Sequence, residues 1–314
     1  MFGDNMTLVN PSANLFRNFT LQQKNMQTIL VPVDFTEIAK NATLYAISFA
    51  RQVGIKKIIL YNAYQQPVAT DPNMMPVELI DFNILKESSS KGMVNFARSL
   101  QGLATGIAID TLSEYAILDD GIKSVCNEHA VDVVVMGVTG GGKLDEALIG
   151  SSAVTVAKKV TVPVIIVPPA TEFSTIKNVV FACDFKNVVE TTPVQPIKQL
   201  LNNTKAKLFV LNIDHDNKHF TADMPFESLL LDTLLDGYNP EYHFVDSTDF
   251  VEAVNSFAVE KEADLIITIP KKHSFFVLDQ RTHETNNFNS TKPFQAGSSN
   301  SDYSVRREGA LHSA

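Results

Sequence analysis

The 314-residue sequence contains no tryptophan and only two cysteines, Cys126 and Cys183, which sit in different halves within apolar patterns. A disulfide framework is thereby excluded, and both read as reduced, buried thiols of a cytoplasmic protein. Basic residues are scarce: 26 Lys and Arg stand against 35 Asp and Glu, for a net charge of −9. That balance argues against nucleic-acid or anionic-membrane partners, which need basic patches to neutralise phosphate. No apolar run approaches the roughly 18 residues of a membrane-spanning helix. Residues 1–25 lack the basic start and apolar core of a secretory signal, and they read as a disordered leader with Met26 a candidate start. What remains is ordinary globular composition, 45% hydrophobic and 19% charged, at a length that suggests two domains.

The most chemically specific stretch runs from Val131 to Val167. A short apolar run, Val133 to Met136, predicts a strand buried on both faces. Gly137 and then Gly140, Gly141 and Gly142 predict a tight turn, with Lys143 beside it. Gly150-Ser151-Ser152 opens an apolar-periodic helix, serine being a natural N-cap. Pro163 to Val167 closes the unit as another strand. Strand, glycine turn and helix N-terminus together present backbone N–H groups to a phosphate.

Upstream, Thr28–Val33 predicts a first strand ended by Asp34-Phe35-Thr36, with Thr36 able to cap the next helix. Ile38, Ala42, Tyr45, Ala46, Phe49 and Val53 recur at helical spacing, and Gly54 supplies the stop. Lys57–Ala63 predicts a second strand, 77–103 a long helix, and Ile107–Tyr115 a third strand. Asp119 and Asp120 then start a helix leading to the central strand. Alternating strands and helices imply a parallel sheet covered on both faces, with the ligand crevice at the carboxyl ends of its strands.

The spacing Gly137-x2-Gly140-x9-Gly150-Ser151, after the fourth strand, resembles the nucleotide signature of the ATP-binding branch of the universal stress protein family. The resemblance implies an α/β fold, an open five-stranded parallel sheet of Rossmann-like type in the order 3-2-1-4-5. It implies ATP, ADP or AMP as ligand, with or without Mg2+. In such proteins the glycine loop wraps ribose and phosphates, and the Gly-Ser pair caps the last helix against the phosphate tail. The aspartate after strand one faces the adenine and a residue ending strand two lines it, which here are Asp34 and Ala63. Pro32, Val33, Met136 and Ser152 flank those positions and complete the implied nucleotide set; Lys143 reads either as a solvated surface charge or as a contact to the outer phosphates.

The second half repeats the first. Val179–Phe185 matches Ile29–Phe35, pairing Asp184 with Asp34 and Phe185 with Phe35; Lys207–Ile213 matches Lys57–Ala63, pairing Asn212 with Asn62; Ala263–Ile269 matches Val131–Gly137. The pattern is a tandem repeat with a linker at Pro168–Thr171: one domain over 26–169 and a degenerate copy over 175–276. In the copy, Pro270-Lys271-Lys272-His273 replaces the glycines, so close approach to phosphate is lost. Lys271, Lys272 and His273 read as a solvated cluster before an anion contact, and Asp184 as a structural remnant. The final helix and strand of the family pattern are expected to be missing, with residues 277–314 a polar, disordered tail. The edge Val164–Val167 would then need another partner, which predicts a homo-oligomer.

Rival chemistries fit less well. Gly137-x4-Gly142-Lys143 follows the NTPase phosphate loop, but Leu144 stands where a magnesium-holding hydroxyl belongs. The dinucleotide fingerprint meets Asp145 in place of its third glycine. Asp214, His215, Asp216 and His219 form the one metal-like cluster and read as a solvated polar loop. No catalytic acid or base stands beside the glycine loop, so regulatory nucleotide binding is the expectation. A slow ATPase and a nucleotide-free interaction scaffold are the alternatives.

Overall fold

The computed structural model describes residues 26–66, 81–138, 151–214, 224–269 and 276–279. Its first half runs β1 (Thr28–Pro32), α1 (Glu37–Val53), β2 (Lys57–Tyr64), α2 (Phe82–Ser99), β3 (Ala108–Tyr115), α3 (Leu118–Glu128), β4 (Val133–Gly137), α4 (Ser151–Lys159) and β5 (Val164–Val167). The second runs β6 (Asn178–Ala182), α5 (Val188–Thr191), α6 (Val194–Thr204), β7 (Lys207–Asp214), α7 (Met224–Leu234), β8 (Glu241–Asp246), α8 (Phe250–Glu260), β9 (Leu265–Thr268) and β10 (Phe276–Asp279). Helix α1 starts and stops as its sequence dictates. The Thr36 hydroxyl accepts from the Ala39 amide at 3.3 Å, and Gly54 ends the helix in the left-handed region at φ 80°.

The described strands form one sheet in the order β3-β2-β1-β4-β5-β10-β9-β6-β7-β8. Within the first half all pairings are parallel, in the expected 3-2-1-4-5 order. The second half repeats that order as far as its fourth strand, β8-β7-β6-β9, again parallel. The copy then departs. Residues 269–275 are too few for a parallel crossover, which needs about a dozen residues, so β10 folds back antiparallel onto β9.

That return corrects two expectations. The second half does have a strand after β9, reached by a hairpin in place of a helix, and residues 277–279 belong to it. The Val164–Val167 edge is also occupied, since β10 pairs with β5 in parallel, Val277 opposite Ile165. Pairing of a second copy through that edge is therefore overturned. Because β10 lies antiparallel to β9 and parallel to β5, the strands of the two halves run in opposite directions. Their carboxyl ends open at opposite rims.

One face of the sheet carries a core shared by both halves, filled from α1 by Tyr45 and Phe49, from β1 by Ile29 and Val31, and from α6 by Leu200 and Leu201. On the other face, α3 and α4 cover the first half through Ile122, Val125, Val156 and Ala157. There α8 covers the second half through Val254, Phe257 and Ala258. The repeat is also written in hydrogen bonds. Asp132 accepts from the amides of Gln27 (2.7 Å) and Thr28 (3.1 Å), and Asp264 accepts from those of Lys177 (2.5 Å) and Asn178 (2.9 Å). Each carboxylate clamps the start of the neighbouring first strand.

Both cysteines are free. Burial pushes each thiol up to about 12, so neither forms thiolate near neutrality. A thiol probe at pH 8 is expected to label the native protein slowly and both cysteines rapidly once it is unfolded; fast native labelling would refute this.

Candidate functional site

In an open α/β sheet the crevice lies where the winding reverses, which here is between β1 and β4. Helix α1 leaves β1 toward one face, while α3 and α4 cover the other. The registers bring the sequence-predicted residues together at this point. Ile29 pairs with Val133 and Leu30 with Val134; continued along the strands, Val33 lies level with Gly137. Pro32 pairs with Tyr61, so Asp34 lies level with Ala63.

Asp34 is exposed. Its Oδ1 accepts from the Thr36 hydroxyl at 2.6 Å and the Thr36 amide at 3.1 Å, a local turn that holds the carboxylate at the strand end. Phe35 between them sits in the left-handed region at φ 67°, a strained conformation for an aromatic residue. Val33 is buried; its amide donates to the Tyr61 carbonyl at 2.8 Å, and its carbonyl accepts from Asn62 Nδ2 at 2.7 Å. Pro32 and Ala63 are half-buried, Ala63 packing toward the α3–α4 side.

At the end of β4, Met136 is buried against α3 and α4. Gly137 has a packing role that its sequence context did not reveal. A Cβ there would come within 2.6 Å of Ile38 Cγ2 and 2.9 Å of the Ile38 carbonyl oxygen, so only glycine lets α1 begin this close to β4. Ser151 and Ser152 are exposed in the first turn of α4. Gly140, Gly141, Gly142, Lys143 and Gly150 lie outside the described residues, as do His215, Asp216, His219, Lys271, Lys272 and His273.

Sequence reasoning missed a polar chain beneath this rim. The Ser89 hydroxyl donates to Asn62 Oδ1 at 2.5 Å and also bonds the Ser113 hydroxyl, so α2, β3 and β2 converge on the carbonyl preceding Asp34. The recurrence of Asn62 as Asn212 was the one signal of it. Two clefts among the described residues lie elsewhere. One, about 540 Å3, runs between the end of α2 and the start of β3; the other, about 560 Å3, lies between residues 174–178 and the end of α8. Neither holds a convergent set of reactive groups. Among the described residues no cluster of three or more His, Cys, Asp or Glu could hold a metal, and no helix is long and apolar enough to cross a membrane.

Comparison with known proteins agrees with this architecture. The family model described as "Universal stress protein family" matches residues 25–168. A universal stress protein of Methanocaldococcus jannaschii is 26% identical over 139 residues, covering 44% of this chain and 80% of its own. Among solved structures, a universal stress protein from Archaeoglobus fulgidus superposes with a TM-score of 0.59 at 17% identity, covering 81% of this chain and 98% of its own. A "Putative Universal Stress Protein" from Pseudomonas aeruginosa gives 0.50 at 12% identity, over 82% and 94%. At those identities the two structures speak for the fold alone, and their coverage takes in both halves. The family match coincides with the domain ending at β5, so residues 25–168 form a domain of the universal stress protein type.

Proposed function

We propose that the first half binds an adenine nucleotide, ATP or its di- or monophosphate, and that occupancy serves as a regulatory signal in a cytoplasmic stress response. The observation that carries this reading is that β1 and β4 lie side by side at the point where the winding reverses, with Asp34 just past the end of β1, Gly137 closing β4 and Ala63 level with Asp34 near the end of β2. The residues fit the ligand. An exposed carboxylate suits the donors of an adenine or ribose edge, and the glycine-rich sequence 140–142 and the start of α4, with Ser151 and Ser152, suit phosphate. Any Mg2+ would arrive on the phosphates, as is usual for that ion. A bound nucleotide would bring negative charge to the start of α4, and the chain supplies the turn at Asp34. The second half lacks the glycines and is proposed not to bind.

Denaturing the freshly purified protein and identifying what it releases tests this directly. Adenine nucleotide near one per chain is expected, and Asp34→Ala is expected to weaken its rebinding by roughly tenfold, about 1.4 kcal/mol. ATP recovered intact would support a binding role, and ADP alone a slow hydrolase. A protein that is empty and takes up no added ATP, ADP or AMP in calorimetry would overturn the proposal.

A further inference from the structure

The two halves offer an internal comparison at the turn that follows their first strand. In both, an Asp-Phe pair leaves the strand with the phenylalanine at positive φ, 67° at Phe35 and 50° at Phe185. In both, a buried asparagine holds the carbonyl before the aspartate: Asn62 to Val33 at 2.7 Å, and Asn212 to Cys183 at 2.8 Å. The backbone of the turn is therefore the same, and the halves differ in what stands behind the asparagine.

In the first half Asn62 lies opposite Ser113 on the neighbouring strand, and its Oδ1 accepts from Ser89, itself bonded to Ser113. In the second, Asn212 lies opposite Phe244. Its Oδ1 is buried and without a hydrogen-bond partner among the described residues. The aromatic rings follow that exchange. Phe35 stays at the surface, 41% exposed, its ring seated over Gly92 of α2, where a Cβ would lie 2.7 Å from Cζ. Its ring centroid is 6.3 Å from that of Phe96. Phe185 is instead 4% exposed and stacks on Phe244 at 5.8 Å and 25°.

Building on the nucleotide reading, we propose that Asn62, Ser89 and Ser113 are positioning residues of the site. The Ser89 hydroxyl, itself bonded to Ser113, holds the Oδ1 end of the Asn62 amide, so that its Nδ2 holds the Val33 carbonyl and fixes the direction in which Asp34 leaves β1. The small serine at position 113 also denies Phe35 a stacking partner beneath the turn, which leaves the ring on α2. In the second half an aromatic pair occupies that space, the asparagine is held on one side only, and Phe185 is drawn into the core. The loss of function in the copy thus has two parts, the missing glycines and a converted turn. Buried amide groups satisfied on both sides give a unique geometry, and half-satisfied ones do not.

Three variants test this: Ser89→Ala, which removes the hydroxyl; Ser89→Thr, which keeps it; and Ser113→Phe, which writes the second-half residue into the first. Two readouts are needed, ATP affinity by calorimetry and hydrogen exchange of the peptide spanning residues 33–40. Ser89→Ala is expected to speed exchange in that segment and weaken ATP by roughly tenfold, the size of one lost buried hydrogen bond, with Ser89→Thr close to wild type. Ser113→Phe is expected to reduce ATP binding further. Should Ser113→Phe fail to fold, Ser113→Ala replaces it, with the outcome expected of Ser89→Ala. Folded Ser89→Ala protein with unchanged exchange at 33–40 overturns the proposal. So does equal loss in Ser89→Ala and Ser89→Thr, which would indicate a packing role only. The exchange arm needs no ligand, so a wild-type protein that binds no nucleotide would sink the functional reading while leaving this test decisive.

Discussion

Gly121→Ala is expected to cost the folded protein about 1–3 kcal/mol, and Tyr61→Phe is expected to return most of it. Gly121 lies in the first turn of α3, directly over the Tyr61 side chain of β2, and a Cβ there would overlap the Tyr61 hydroxyl and come within 2.8 Å of its Cζ. Tyr61 has no room to retreat, being fully buried, and its hydroxyl is held by Glu114 at 3.3 Å. Burial first, and then the Glu114 carboxylate, raise the Tyr61 phenol well above its ordinary value. It stays a neutral donor throughout the working range. Removing the hydroxyl forfeits that bond, about 1 kcal/mol, but opens the space an alanine methyl would fill. In urea denaturation the double variant should therefore be more stable than Gly121→Ala alone. Simple addition of the two single costs would show that the helix, and not Tyr61, absorbs the clash.

Val277→Pro is the second substitution with a large expected effect. Val277 is the middle of β10 and pairs on both sides, with Ile165 of β5 and Ile267 of β9. Proline there deletes a ladder hydrogen bond and forces the chain off a neighbour, a cost of about 3 kcal/mol or more. Since β10 is the strand that joins the halves of the sheet, the damage is expected to go beyond one bond. Thermal unfolding should separate into two steps, and the freed edges of β5 and β9 should drive association visible in light scattering. One unbroken transition near the wild-type midpoint, with no association, would show that the helix faces alone hold the halves together.

Much of this architecture is legible in the chain because its strands are short apolar runs between helices of clear period. β1, β2, β4 and β5 fall within a residue or two of their expected bounds, and the tandem repeat follows from matched strands. The predicted helix over 77–103 is shorter where described, ending at Ser99, since Gly102 and Gly106 adopt positive φ and turn the chain. β10 was not legible. Phe276-Val277-Leu278-Asp279 is a four-residue run that becomes a strand only because two unsatisfied edges lie beside it.

The site divides in the same way. Asp34, Ala63 and Gly137 are strand ends, and strand ends follow from local pattern. The serines behind Asn62 do not, because Ser89 and Ser113 belong to a helix and a strand whose meeting is set by tertiary packing. Gly137 teaches the complementary lesson. Its context suggested ligand contact, while the requirement visible in the fold is the approach of α1.

The fold-back of β10 has a consequence for how the molecule responds to dilution. Two separate domains that met edge to edge would obey mass action, parting as concentration fell. Here the joining strand, both edges it fills and the shared face between α1 and α6 are parts of one covalent chain. The union of the halves is a first-order event, governed by the tether at an effective concentration that no cellular dilution alters.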